Sequence, residues 1–89
     1  MARIAFTAHL AAVGPTEPSS YGGATLAEVL EAVGADYPRL LGYVLDDQER
    51  IRKHIAIFVD GLMRPHETAL GLALGETSDV YVFQALSGG

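Results

Sequence analysis

Only one segment of this chain can form a long amphipathic helix, and no second helix of comparable length is available to pack against it. Beyond Thr25, the apolar residues Leu26, Val29, Leu30, Val33 and Tyr37 recur at three-four spacing and make one stripe. Thr25 stands where its hydroxyl caps the first turn, and Glu28, three residues on, completes a capping box. Gly34 weakens the last turns, and Pro38 disfavours helical geometry at Tyr37, so the helix is predicted to end near there. Leu40, Leu41, Val44 and Leu45 predict a short second helix over Arg39 to Leu45. The long stripe has to be covered, and only strands are left to cover it.

Three segments read as strands. In RIAFTAHL, residues 3–10, Ile4, Phe6, Ala8 and Leu10 alternate with Arg3, Ala5, Thr7 and His9, the period of a half-buried strand. In HIAIFV, residues 54–59, Ile55, Ile57 and Val59 share one face and Ala56 and Phe58 the other. Asp60-Gly61 then forms a favoured hairpin turn, with Leu62 to Arg64 as a short returning strand. VYVFQA, residues 80–85, is apolar on both faces and is expected at the centre of the sheet. Between these, residues 14–23 are rich in Pro, Ser and Gly and read as a loop. A poor edge strand at Ser19–Tyr21 stays open, since composition alone does not assign it. Asp46 to Lys53 is charged and is expected to be a solvated connection, and Pro65 to Leu74 is mixed, with one helical turn near Thr68–Leu72. The expected class is α+β in two layers, one sheet with a helix across one face.

Composition narrows the functions. A chain of 89 residues makes one domain with one core and no deep cleft. The net charge is −5, and the six Lys and Arg are few and unclustered, which argues against nucleic acid and favours a basic protein surface as partner. With no cysteine, disulfides, iron–sulfur clusters, thiolate zinc sites and Cys nucleophiles are excluded, which fits a cytoplasmic protein. No apolar run approaches the roughly 20 residues of a membrane span. Arg3 and the run from Ile4 to Val13 faintly resemble a secretory signal, but Thr7 and His9 interrupt it, so none is expected.

Leu86-Ser87-Gly88-Gly89 follows the last strand as a tail with no reason to fold. Terminal glycines by themselves are ordinary fraying. Here the sheet would project them outward as an arm. With RIAF, GATLAEVLEAV, IAIFVDG and DVYVFQALSGG in this order and spacing, the chain resembles the MoaD/ThiS sulfur carriers, which are relatives of ubiquitin. The region from Tyr37 to Lys53, with YPRL and ERIRKH, is similar to the subgroup that includes cysteine-biosynthesis carriers.

The resemblance implies a β-grasp fold, a mixed sheet of four to five strands with one main helix packed across one face. It implies a domain over residues 1–86 and a flexible carrier tail over 87–89. It further implies that a ubiquitin-activating-type enzyme uses ATP to adenylate the Gly89 carboxylate. Sulfur transfer then gives a thiocarboxylate that donates sulfur in biosynthesis of cysteine, thiamine or molybdopterin. Gly88 and Gly89 are the carrier residues, and no cofactor is expected to be bound. Alternation turns Phe58, Tyr81 and Phe83 away from the helix, as an exposed apolar patch near the tail. In the family this sheet face meets the activating enzyme, so these three and Leu86 are the expected partner-binding residues. The alternative for the rings is packing under a loop.

Other residues carry less. His9, His54 and His66 show no metal-ligand spacing. Asp46 and Asp47 sit in a charged loop, Gly14, Gly22 and Gly23 form no phosphate loop, and Ser19, Ser20 and Ser87 lack a paired base. No catalysis of its own is expected; the chain is read as a protein-bound co-substrate. Competing readings are the small subunit of molybdopterin synthase, whose arm enters a large subunit, a protein modifier conjugated through Gly89, and a β-grasp binding module without tail chemistry.

Overall fold

The structure is a computed structural model and describes residues 1–84. Its strands are β1 (Ala2–Phe6), β2 (Ser19–Tyr21), β3 (Ile55–Val59), β4 (Leu62–Arg64) and β5 (Asp79–Gln84). Its helices are α1 (Ala8–Ala11), α2 (Leu26–Asp36), α3 (Leu41–Val44) and α4 (His66–Ala69). The strands form one five-stranded sheet in the order β2-β1-β5-β3-β4. β1 and β5 are parallel and the other pairs antiparallel, so the sheet is mixed. β5 lies at the centre, as its two apolar faces predict. The open question at Ser19–Tyr21 resolves as edge strand β2, with Ala2 opposite Tyr21.

The predicted cap of α2 forms. Thr25 Oγ1 accepts the Glu28 N–H at 3.3 Å, and Glu28 Oε1 reaches back to accept the Ala24 N–H at 3.0 Å. Two further donors at the helix start, Leu26 N–H and Ala27 N–H, are taken by the carbonyls of Leu72 and Leu70. The mixed segment after β4 therefore closes the helix N-terminus, where unpaired donors would otherwise remain. Its helical turn, α4, starts at His66 rather than Thr68. Gly23 precedes the cap at φ +155, and a Cβ there would stand 2.8 Å from Val29 N, so the loop approaches the first turn closely only as glycine. Asp60 (φ 52) and Gly61 (φ 84) both take positive φ, which joins β3 to β4 as predicted.

The stripe of α2 and the inner face of the sheet share one buried cluster: Leu26, Val29, Leu30 and Val33 with Ile4, Ile55, Ile57, Val59, Val80 and Val82. Each such side chain contributes roughly 1.5–3 kcal/mol by leaving water. On the far edge, the Tyr21 hydroxyl donates to Asp36 Oδ2 at 2.8 Å, tying β2 to the end of α2. That hydrogen bond, helped by burial, pushes the phenol up to about 12.

Three expectations need correction. The first strand stops at Phe6, not Leu10. Thr7 opens the short helix α1, which buries Leu10 completely and leaves Ala8 exposed. The alternation through residue 10 coincided with the i, i+3 spacing of a single turn. Phe6 is only half-buried. Second, residues 46–53 are not wholly solvated: Ile51 is buried and bridges to Leu45 across a turn. Asp46 organises that turn. Its Oδ1 accepts the N–H of Arg50 (3.0 Å) and of Gln48 (2.8 Å), and the Arg50 N–H above all holds its carboxyl below the ordinary range. Third, His54 sits in a turn, and β3 begins at Ile55.

Candidate functional site

With α2 covering one face of the sheet, the other face is left bare by the described residues over its centre. The row Ala5, Tyr81, Phe58, Met63 runs across four strands in register. Phe83, beside Ala56, stands in the next outward row. Tyr81 and Phe83 are 41% and 40% exposed, while their neighbours Val80 and Val82 are buried on the opposite face. The two rings lie 6.4 Å apart, tilted by 46°. Phe58, predicted outward, faces this side but is half-buried between its neighbours. Sequence reading missed Met63, which is 66% exposed and extends the apolar row to the β4 edge. The hairpin turn at Asp60-Gly61 held the signal, since it fixes Met63 opposite Phe58. A shallow depression lined by Arg3, Pro18, Phe58, Tyr81 and Phe83 lies on this face. This face is therefore the candidate interaction surface of the chain.

The end of β5 is held from both sides. Gln84 pairs with Ile55 in β3. On the β1 side the backbone leaves the sheet at Thr7 to begin α1, but the ladder continues. Thr7 N–H donates to the Val82 carbonyl at 3.1 Å, and Gln84 N–H donates to Thr7 Oγ1 at 3.1 Å. The hydroxyl takes the place of the next strand carbonyl and does not cap its own helix. Thr7→Val removes the acceptor from a part-buried N–H, at a cost of about 1 kcal/mol. The Gln84 amide is then expected to exchange with solvent roughly fivefold faster, while Thr7→Ser keeps the native rate; unchanged exchange in the valine variant contradicts the anchoring role. Gly88, Gly89 and Leu86, the other residues singled out from sequence, lie outside the described residues.

The ThiS family model matches residues 6–89. The chain belongs to the ThiS family. Its solved structural neighbours include the Amycolatopsis orientalis BexX/CysO complex (17% identical, TM-score 0.86, all of both chains covered). Mycobacterium tuberculosis CysO is similar at 18% identity and TM-score 0.85, over 97% of this chain and 100% of that one. SAMP1 of Haloferax volcanii is 25% identical, with TM-score 0.79 over 99% and 98% of the two chains. The fold is thereby the ubiquitin-like β-grasp. A curated 3-dehydroquinate dehydratase of Rhizobium meliloti (strain 1021) is 38% identical over 66 residues, 74% of this chain; the chain spans 43% of that protein's length.

In this ThiS-family chain the reading of the cations as unclustered needs correction: Arg50, Arg52 and Lys53 stand within four residues of sequence, and folding adds Arg64 to them. Arg50, Arg52 and Lys53 line one depression with His54 and His66, and Arg64 joins Lys53 and His66 in an adjoining one. His66 Nε2–H donates to the Ile55 carbonyl, which seats α4 against the start of β3. Among the described residues no group of three or more His, Cys, Asp or Glu is placed to hold a metal ion. No described helix is long and apolar enough to cross a membrane.

Proposed function

We propose that this chain is a sulfur carrier: a ubiquitin-activating-type enzyme adenylates the Gly89 carboxylate with ATP, and sulfur replaces AMP to leave a thiocarboxylate. The observation that carries the reading is positional. The central strand of a ThiS-family β-grasp domain ends at Gln84, tied on both flanks, and the sequence continues from it as Ala-Leu-Ser-Gly-Gly. Residues 87–89 serve as the carrier arm. A carboxylate is a poor acyl donor because oxide would have to leave; in the acyl adenylate AMP leaves instead, and sulfur delivered at the sulfide level forms the C–S bond as the C–O bond to AMP breaks. The protein is a co-substrate, and the bare sheet face around Tyr81 and Phe83 docks the adenylating enzyme and then the sulfur acceptor, a biosynthetic enzyme.

The test is the intact mass of the protein isolated from its own cells. A gain equal to exchanging one oxygen for sulfur, localised to Gly89 by fragmentation, is the expected result; an unmodified carboxylate under sulfur-replete growth, with the adenylating enzyme present, overturns it. The similarity to SAMP1, one of whose relatives is described as a small archaeal modifier protein, favours a second reading in which the activated Gly89 is joined to lysine amines. Lysine-linked conjugates in the same extract decide for that reading. The dehydratase activity of the curated relative is not carried over, because the match covers under half of that protein.

A further inference from the structure

The cationic corner has a definite place relative to the end of β5. β4 and β5 both run antiparallel to β3, so their C-terminal ends lie at the same end of the sheet. At that end Ile55 is flanked by Gln84 on one side and by His66 on the other, through the His66 Nε2–H bond to its carbonyl. Arg52 and Lys53, just before Ile55, and Arg64, which closes β4, therefore lie at the end of the sheet where β5 ends, and line two depressions that share Lys53 and His66. Four of the six cations in the chain line these two depressions against two carboxylates, Asp46 and Glu67. Asp46 is already engaged by Arg50 at 3.8 Å. The lining of the two depressions is thus positive, with Asp47 and Glu49 of the same loop outside it, in a chain whose net charge is −5. Arg64 Nε is buried and has no hydrogen-bond partner among the described residues, a donor left wanting an acceptor.

We propose that this corner docks an acidic protein segment, several carboxylates belonging to the partner that receives the arm. The identity of that partner rests on the carrier reading; the chemistry of the corner does not. Donors on long side chains spread over two depressions suit carboxylates spaced along a segment better than one compact phosphate. The sign contrast gives orientation as well as attraction. An acidic segment is drawn to the arm end and repelled by the rest of the surface, so the two proteins meet with the arm facing its channel.

The test is a titration of the isotope-labelled full chain with hexaglutamate peptide, followed by amide spectra. Shifts confined to Arg50–Ile55, Arg64 and His66, saturating and weakened by salt, are expected. Arg52→Glu/Lys53→Glu weakens binding at least tenfold, whereas Arg39→Glu, outside the corner, leaves it unchanged. Because Arg52 Nε also donates to the Gly42 carbonyl, Lys53→Glu alone serves as the variant that disturbs no hydrogen bond, with weakening of severalfold expected. Absence of shifts at the corner overturns the proposal. So does equal weakening by Arg39→Glu, or inorganic phosphate at matched charge binding as tightly as the peptide. The titration does not use the arm, so its failure leaves the carrier reading standing, and failure of adenylation leaves the corner standing.

Discussion

Gly89→Val is expected to abolish adenylation while the domain folds as before. The substitution changes none of the residues that form the buried cluster. Its effect is on passage and reach. On the carrier reading, the terminal carboxylate reaches the phosphate it attacks by threading residues 87–89 into the adenylating enzyme's site. A branched Cβ widens the chain there and restricts dihedrals that glycine leaves free. Ordering each arm residue costs roughly 1–2 kcal/mol, so little affinity is left to offset a steric clash. Displacing a reacting atom by about 1 Å costs on the order of a hundredfold in rate, and the loss expected here is at least that large. ATP–pyrophosphate exchange with the adenylating enzyme measures it directly, with circular dichroism as the control for folding. Exchange at the native rate removes the arm chemistry and returns the chain to a binding module.

Replacing both outward rings, Tyr81→Ala with Phe83→Ala, is expected to weaken the complex with the adenylating enzyme by more than about 2 kcal/mol, roughly thirtyfold in Kd. The rings are about two-fifths exposed and lie 6.4 Å apart, tilted, on the bare face, so in the isolated chain much of their surface still meets water. A partner that covers them gains that apolar area, and aromatic anchors at the centre of an interface carry a large share of its energy. Stability is expected to fall much less than for Val80 or Val82, which are buried on the helix side of the same strand. Titration calorimetry of the double variant checks the affinity, and thermal unfolding checks the fold. Native affinity in a folded double variant shows that the partner binds elsewhere.

The residues that were read correctly from sequence share a reason. The Thr25–Glu28 cap, the Asp60-Gly61 turn and the alternation in β3 and β5 are settled within a few residues of one chain segment. Where two local patterns coincide, sequence misleads. Leu10 fits both a strand and one turn of helix, and only the departure of the backbone at Thr7 separates them. Ile51 looked solvated because its neighbours are charged, yet the Asp46 turn folds it back against Leu45. Edge strand β2 carries little propensity of its own and exists because β1 offers it a ladder.

The sequence by itself determined that this is a domain of one long helix on one sheet, with three aromatic residues turned away from that helix and a diglycine after the last strand, since periodicity, capping and chain order are written locally. Tertiary structure alone decided that β1 and β5 lie parallel at the centre, that Thr7 takes hold of Gln84 from 77 residues away, and that Arg64 joins Arg52 and Lys53 at the end of the sheet where β5 ends. Those are meetings between distant segments, and they depend on which strands pair, a choice made by burying the whole apolar face at once and not by any one stretch of chain.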